Sequence, residues 1–211
     1  MSVGPITIVG AGLVGSLLAT ELGKRGFEVE VLEKRPDLRK RERGSEGRSI
    51  NLAVSVRGFH ALEKAGLLGP AQRLAIAMKG RQLHDREGRT SFQAYGDGQT
   101  QAIYSVSRAD LNALLLDSAE ATGRVRIRFN TSLESLDGST ARFVDHRRAE
   151  TFERSGILLA TDGAYSRARD FIERETSIEV GKSTLDYGYK ELTVPPQGER
   201  GYRLVNKGLH I

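Results

Sequence analysis

The chain opens with apolar and polar positions whose spacing changes from strand to helix and back to strand. Residues 6–9 are the β-branched run Ile-Thr-Ile-Val, which is typical of a buried strand. Leucines then recur at helical spacing as far as Gly26, which ends the predicted helix. Residues 28–32 alternate as a second strand. This order of strand, helix and strand predicts a parallel pair joined by a right-handed crossover.

Further along, helical and strand patterns follow each other at short intervals. Helices are predicted over 56–66, behind the capping sequence Ser107–Asp110, and from about Tyr165. Strands are predicted over 125–129, 157–160 and 185–194, with a hairpin over 81–95 that turns at Glu87 and Gly88. We therefore expect an α/β fold, in which a Rossmann-like βαβ parallel sheet is interrupted by inserted antiparallel strands.

Composition narrows the class of protein. Of the 211 residues, 38% are hydrophobic and 28% are charged, as in an ordinary globular protein. Cysteine is absent and the four histidines lack metal-ligand spacing, so we expect neither disulfides nor a metal site. No run approaches the ~18 apolar residues of a membrane span, and we expect no membrane segment in this chain and a cytoplasmic location.

The positive charge is concentrated in one segment. The net charge is +5, and residues 34–48 hold seven Lys or Arg against three Asp or Glu. Such a run could bind nucleic acid, but it has no interleaved aromatic residues and no recognition-helix pattern. A solvated loop beside an anionic cofactor explains the charge better, and we expect no nucleic-acid partner.

The turn between the first strand and the first helix carries the clearest motif. Residues 10–15 are Gly-Ala-Gly-Leu-Val-Gly, a G-x-G-x-x-G sequence in the strand–turn–helix context that dinucleotide binding requires. Glu33 lies 18 residues past Gly15, at the end of the second strand, where a carboxylate can accept hydrogen bonds from ribose hydroxyls. The acid favours FAD or NAD over NADP, and the alternative is a glycine-rich turn followed by a surface glutamate. Around this turn we assign to the cofactor Gly10, Gly12, Val14, Gly15, Leu32, Glu33, Lys34 and Arg35.

Other catalytic motifs are missing from the sequence. It contains no G-x-S-x-G elbow, no Walker loop and no visible catalytic dyad. We therefore assign no catalytic residue and expect the cofactor to carry the chemistry.

The stretch GRSINLAVSVRG, residues 47–58, suits neither an ordinary strand nor an ordinary helix. Together with 103–112, 162–169 and 187–196, it resembles the FAD-dependent aromatic-ring hydroxylases, and within them the branch that acts on kynurenine. The resemblance spans essentially the whole chain. It implies a fold in which the inserted antiparallel strands lie on the substrate side, and it implies that residues 47–58 line the flavin ring.

The resemblance also implies roles for individual residues. Further cofactor contacts would be Arg48, Asn51, Ala53, Arg108, Leu133, Asp162 and Arg167. Arg81 and Tyr95 would bind the substrate carboxylate, because an arginine fork grips a carboxylate and a tyrosine hydroxyl adds a hydrogen bond. Tyr189 would face the substrate ring. The alternatives are surface arginines, core tyrosines and an amphipathic loop that packs on the sheet.

The function implied by the resemblance is that of an FAD-dependent monooxygenase in tryptophan degradation. It would hydroxylate L-kynurenine to 3-hydroxykynurenine with NADPH and O₂. Two alternatives stay open, namely a hydroxylase of another aromatic substrate and a dinucleotide-binding module without catalysis.

The domain prediction divides the chain near residue 175. Residues 1–175 would form the FAD-binding domain, with the hairpin inserted at about 80–105, and residues 176–211 would begin a substrate-binding sheet. The family's third motif, Gly-Asp-Ala-Ala or similar, does not occur in the sequence. We therefore expect these residues to be the N-terminal portion of a longer enzyme.

Overall fold

The computed structural model describes residues 5–40, 51–96, 101–188, 198, 204 and 208–210. The chain forms two compact units, each assembled from two stretches of sequence. The first unit comprises Met1–Gly47 and Asn112–Thr184, and the second comprises Arg48–Leu111 and Leu185–Ile211. The two units interleave along the chain, and the single boundary near residue 175 stays a prediction.

The helices and strands follow one another in short pieces. The first half contains β1 (Ile6–Val9), α1 (Leu13–Lys24), β2 (Val29–Glu33), β3 (Asn51–Val54), α2 (Val56–Lys64), α3 (Leu68–Leu74), β4 (Ile76–Met78), β5 (Gly80–His84), β6 (Thr90–Ala94) and β7 (Ile103–Ser107). The second half contains α4 (Arg108–Glu120), β8 (Val125–Phe129), β9 (Thr131–Asp137), β10 (Thr140–Asp145), β11 (Glu150–Ser155), β12 (Leu158–Ala160), α5 (Arg167–Glu175) and β13 (Leu209–His210). The division between the units falls inside α4, between Leu111 and Asn112.

A four-stranded parallel sheet forms the centre of the first unit. Its strand order is β12-β1-β2-β8, and Ile8 of β1 lies opposite Val31 of β2 on one side and Leu159 of β12 on the other. Every residue of β1 and β2 is buried, as expected for central strands of a sheet that is covered on both faces. The α/β fold with a parallel sheet is therefore confirmed.

Helix α1 packs with a face of small residues rather than with its leucines. The leucines of α1 are only half-buried, and its buried residues are Gly15, Ser16, Ala19, Thr20 and Gly23. A side chain on Gly23 would collide with Val125 and with the hydroxyl of Thr122. The helical spacing of the leucines predicted the helix correctly, but the close approach of its backbone depends on the small residues between them.

An antiparallel meander, β9-β10-β11, completes the first unit. None of these strands was predicted, although burial alternates along β10, because β9 and β11 contain only three apolar residues between them and show no clear alternation. Phe143 of β10 is fully buried and stacks on Phe152 of β11, with ring centroids 5.7 Å apart. The guanidinium groups of Arg128 and Arg154 lie 4.0 and 4.6 Å from the centroid of the Phe152 ring. Because Arg128 belongs to β8, its contact with Phe152 joins the meander to the parallel sheet.

Arg39 fastens the segment after β2 to helix α4. Its Nε donates to Asp37 at 2.9 Å, and its Nη1 donates to Asp117 and Glu120 of α4 at 2.7 and 2.6 Å. The hydrogen bonds to Asp37, followed by those to the two α4 carboxylates, raise the pKa of the guanidinium despite partial burial. Arg39 therefore stays charged and joins two stretches of the first unit that are distant in sequence.

The second unit contains two three-stranded sheets. Their strand orders are β3-β7-β4, which is antiparallel throughout, and β13-β5-β6, in which β13 runs parallel to β5. The predicted hairpin is confirmed as β5 and β6, and its turn is closed where the Asp85 N–H donates to the Arg89 carbonyl at 3.0 Å. Gly88 has φ +82°, a conformation that favours glycine in this turn.

Two expectations from the sequence are wrong in the described residues. Asn51–Val54 is an ordinary edge strand, in which Leu52 and Val54 are more buried than Asn51 and Ala53. The strand was not predicted because of its polar residues, but a strand with one exposed face accepts polar residues on that face. The strand predicted over 185–194 is absent from 185–188, and its remainder lies outside the described residues.

In the parts of the chain that are described, no helix has the length and apolar character needed to cross a membrane.

Replacing Phe143 with alanine tests the core of the first unit. We expect Phe143→Ala to lower the free energy of unfolding by about 3–5 kcal/mol, because it removes a fully buried ring and leaves a cavity. Phe27→Ala is the control, since Phe27 is 45% exposed, and it should change that free energy much less. Urea unfolding without added cofactor measures both. Equal losses in the two variants would contradict this description of the core.

Candidate functional site

The turn between β1 and α1 needs its first and third glycines for its own geometry. Gly10 has φ +97°, and a Cβ there would lie 2.8 Å from the carbonyl oxygen of Thr161. A Cβ on Gly15 would overlap the carbonyl oxygen of Gly10 and the hydroxyl of Thr161. These two glycines are required for the turn to form and for α1 to pack against it.

Neither the backbone conformation nor the packing of the turn requires a glycine at position 12. Its φ is −73°, which any residue adopts, and a Cβ built on it would meet nothing within 4 Å among the described residues. Gly12 is the N-cap of α1 and provides no capping side chain, so the first N–H groups of the helix are left for another acceptor. Val14, in the first turn of the helix, is 68% exposed. The missing side chain at Gly12 thus leaves space beside a helix N-terminus, where an anion is stabilised.

Glu33 joins the end of β2 to this turn. Its Oε2 accepts a hydrogen bond of 2.8 Å from the Ala11 N–H, and its Oε1 accepts from the N–H and the Nε of Arg35, both at 2.9 Å. Burial would raise the pKa of Glu33, but the hydrogen bonds from Arg35 and Ala11 outweigh it and lower the pKa. Glu33 is therefore ionised at neutral pH. Because a carboxylate offers about four lone-pair sites, it keeps capacity for a ribose hydroxyl.

Thr161, which follows β12, holds the other side of the turn. Its hydroxyl lies 2.9 Å from the carbonyl oxygens of both Val9 and Gly10 and donates to them. The next residue, Asp162, accepts from the Arg167 N–H at 2.8 Å and the Ser166 hydroxyl at 2.6 Å, and so caps the start of α5. Asp162 thus has a structural role in the described contacts, and its assignment to the cofactor stays a prediction.

Asn112 was not predicted from the sequence, although it contacts the glycine turn directly. It lies in α4, is 7% exposed, and its Nδ2 donates to the Ala11 carbonyl oxygen at 3.1 Å. Ser16 donates to the same oxygen from α1, also at 3.1 Å. The sequence feature that could have indicated this contact is that Asn112, a polar residue, directly follows Leu111 in a predicted helix with an apolar stripe.

The remaining cofactor assignments in the first unit differ in exposure. Leu32 and Leu133 are 1% and 3% exposed and pack in the apolar core, so only their backbone groups could reach a ligand. Lys34, Arg35 and Arg167 are exposed. The contacts of these five residues with a cofactor stay predictions.

In the second unit, three predicted cofactor residues lie near one another in the β3-β7 pair. Asn51 and Ala53 are exposed on β3, opposite Ser107 and Ser105 of β7. Arg108 is exposed and follows β7 directly, at the start of α4. Arg48 lies outside the described residues.

The hairpin of the second unit brings Arg81 and Tyr95 together. The Arg81 guanidinium lies 5.8 Å from the centroid of the Tyr95 ring, and the Tyr95 N–H donates to the Lys79 carbonyl at 2.9 Å. The Tyr95 hydroxyl is buried without a hydrogen-bond partner among the described residues. Burying an unpaired hydroxyl is costly. The assignment of Arg81 and Tyr95 to the substrate carboxylate stays a prediction. Tyr189, the third predicted substrate residue, lies outside the described residues.

The parallel sheet, the glycine turn, the uncapped helix and the acid at the end of β2 together define a dinucleotide-binding domain. The open space at Gly12 fits the phosphates of such a ligand. The particular family follows from comparison with known proteins, since the model of the FAD binding domain family matches residues 4–190. The chain belongs to this family, and FAD is its cofactor.

Curated relatives extend the match over nearly the whole chain. A kynurenine 3-monooxygenase of Myxococcus xanthus (strain DK1622) is 44% identical over 209 residues, which are 98% of this chain and 45% of the relative. The kynurenine 3-monooxygenase of Legionella pneumophila (strain Corby) is 36% identical over 208 residues, again 98% of this chain and 46% of the relative. The chain thus spans about half the length of the curated relatives it matches.

Solved structures share the fold at lower identity. The p-nitrophenol 4-monooxygenase PnpA from Pseudomonas putida DLL-E4 has a TM-score of 0.66 at 23% identity, covering 81% of this chain and 43% of PnpA. The flavin-dependent monooxygenase PieE, solved with FAD and substrate, has a TM-score of 0.67 at 19% identity, covering 80% of this chain and 32% of PieE.

Substitutions at two of the three glycines of the turn, Gly12 and Gly15, should separate stability from cofactor binding. Gly12→Ala should change the free energy of unfolding by less than about 1 kcal/mol, because its backbone and space accept a methyl group and the gain in chain entropy is offset by the weaker preference for alanine at an N-cap. It should nevertheless weaken FAD binding, since the methyl occupies the phosphate space. Gly15→Ala should lower the free energy of unfolding by about 1–3 kcal/mol through overlap with Gly10 and Thr161. Thermal unfolding and FAD titration measure these effects, and unchanged FAD affinity in Gly12→Ala would contradict the assignment.

The lowered pKa of Glu33 predicts a dependence of stability on pH. In the unfolded chain this carboxyl titrates near 4.5, and in the folded chain its pKa is lower. Its contribution is therefore complete above pH 4.5 and is lost as the pH falls from there through the folded pKa. Unfolding in urea across this range should show a steeper loss for the wild type than for Glu33→Gln. Glu179→Gln, at an exposed position, is the control and should follow the wild type. Parallel curves for wild type and Glu33→Gln would refute the assignment.

Proposed function

We propose that this chain is the FAD-binding part of a monooxygenase that hydroxylates L-kynurenine to 3-hydroxykynurenine with NADPH and O₂. Relatives named kynurenine 3-monooxygenase, 36–44% identical over 98% of the chain, support the proposal. The proposal of an amino-acid substrate rests on one observation. The Arg81 guanidinium lies beside Tyr95, whose buried hydroxyl has no partner among the described residues.

The residues of the first unit would bind and orient the cofactor. The N–H groups at the start of α1 would donate to the pyrophosphate, and Glu33 would accept from a ribose hydroxyl. The bound flavin would supply the redox chemistry, in which NADPH gives two electrons, one oxygen atom of O₂ enters the substrate ring and the other leaves as water.

The residues of the second unit would hold the substrate by its amino-acid end. A guanidinium and a phenolic hydroxyl provide complementary donors for a carboxylate, and the contact with the Tyr95 ring keeps the Arg81 head nearby. No ion pair joins Arg81 to another described residue, so its charge is available to the ligand. The aniline amino group of kynurenine itself donates electrons to its ring, and the proposal therefore needs no protein base.

The proposal is tested by binding and by product. The full-length protein that carries this chain should bind FAD, measured by the change in flavin fluorescence, and then L-kynurenine, measured by calorimetry. The full-length protein that carries this chain should oxidise NADPH only when kynurenine is present and form 3-hydroxykynurenine in equal amount. FAD binding with hydroxylation of a different aromatic compound would assign another substrate, and FAD binding without any hydroxylation would leave a dinucleotide-binding module.

Arg81→Ala should weaken kynurenine binding while leaving FAD binding unchanged. A charge-assisted hydrogen bond contributes roughly 1.5–3 kcal/mol, so the Kd for kynurenine should rise by about one to two decades. Arg86→Ala, in the exposed turn of the same hairpin, is the matched control and should leave the Kd unchanged. Kynuramine, which lacks the carboxylate, should bind wild type and Arg81→Ala equally.

Tyr95→Phe should act in the same direction with a smaller rise in Kd. Because the Tyr95 hydroxyl has no partner among the described residues, its removal should not lower the free energy of unfolding. Unchanged kynurenine affinity in Arg81→Ala would refute the carboxylate role of this pair.

A further inference from the structure

Two consecutive peptide groups in the glycine turn are held by side chains. The peptide between Gly10 and Ala11 is fixed at both ends, because its N–H donates to Glu33 and its carbonyl accepts from Thr161. The peptide between Ala11 and Gly12 is fixed only at its carbonyl, which accepts from Asn112 and Ser16. Among the described residues, the Gly12 N–H at its other end donates to no acceptor.

Because a peptide group is planar, the contact at the Ala11 carbonyl determines the direction in which the Gly12 N–H points. The peptide bonds of the described residues are trans, and in a planar trans peptide the C=O and N–H point in opposite directions. The Ala11 oxygen is drawn toward buried Asn112, so the Gly12 N–H is turned away from α4. On the Gly12 side, an added Cβ would meet nothing within 4 Å.

We propose that Asn112 is a positioning residue, which aims the Gly12 N–H at the phosphates of the bound dinucleotide. This inference rests on the proposed function in one respect, namely that the phosphates occupy the open side of the turn. Asn112 itself touches the turn from behind and acts through the Ala11 peptide.

The cost that Asn112 imposes on the fold supports a role in binding. Its Oδ1 is buried without a partner among the described residues. The opposite orientation of the amide would bring Oδ1 against the Ala11 oxygen, so only the Nδ2 donor can face the turn. An unpaired buried acceptor is costly, so stability alone would favour an apolar side chain at this position.

The inference is tested with Asn112→Leu in the full chain. This apolar side chain of similar size removes the donor and also the unpaired acceptor, while Ser16 still donates to the Ala11 oxygen. We expect the melting temperature to change by no more than about 2 °C. The ¹⁵N order parameter of the Gly12 N–H without FAD should fall from about 0.85 to below about 0.6. The Kd for FAD should rise about five- to tenfold, as for loss of one hydrogen bond.

Ser118→Ala is the matched control. Ser118 lies on the same helix and donates to the Leu114 carbonyl at 2.7 Å, so its loss should change neither the order parameter nor the Kd. Asn112→Ala removes the same donor and serves as the second variant if Asn112→Leu does not fold.

The outcomes separate this inference from the proposed function. A mobile Gly12 N–H together with a raised Kd supports the role of Asn112. A rigid Gly12 N–H, or a Kd equal to that of the wild type, overturns it. If the wild type does not bind FAD at all, the proposed function fails, and the order parameter of Gly12 still decides whether Asn112 fixes the peptide.

Discussion

The backbone of the turn between β1 and α1 is buried where neither strand nor helix can satisfy its hydrogen bonds, and the site depends on how it is satisfied. Buried backbone groups need partners, and here side chains supply them. Glu33 comes from the end of β2, Asn112 from α4 and Thr161 from the end of β12. Because these residues belong to different elements of the first unit, the turn has its binding geometry only when the unit has folded.

The same constraint explains the small residues of α1. Helix α1 lies so close to the turn and to Thr161 that a side chain at position 15 would overlap both, so this position must be a glycine. Farther along, Gly23 allows equally close contact with Val125 of β8. Gly12, by contrast, is not in close contact, and because it has no side chain the N-terminus of α1 is uncapped and the space beside it is open. Packing therefore requires a glycine at positions 10 and 15 of the motif, but not at position 12.

In the second unit the β5-β6 hairpin brings Arg81 and Tyr95 into contact. Arg81 and Tyr95 are 14 residues apart, yet the antiparallel register of β5 and β6 brings their side chains together. The hairpin also leaves the Tyr95 hydroxyl buried without a partner among the described residues. The proposed role of this pair in binding a carboxylate depends on that register, which sets the spacing of the two side chains.

The sequence by itself determined the βαβ unit, the glycine turn, Glu33 and the hairpin, because each is a local pattern of hydrophobic spacing and turn residues. It did not determine the β9-β10-β11 meander, since strands with few apolar residues, such as β9 and β11, give weak patterns. It also missed Asn112, which reaches the turn from 101 residues away in sequence. Only the tertiary structure decided these contacts, because hydrogen bonds between distant segments depend on the packing of whole elements and leave no periodic signal in the chain.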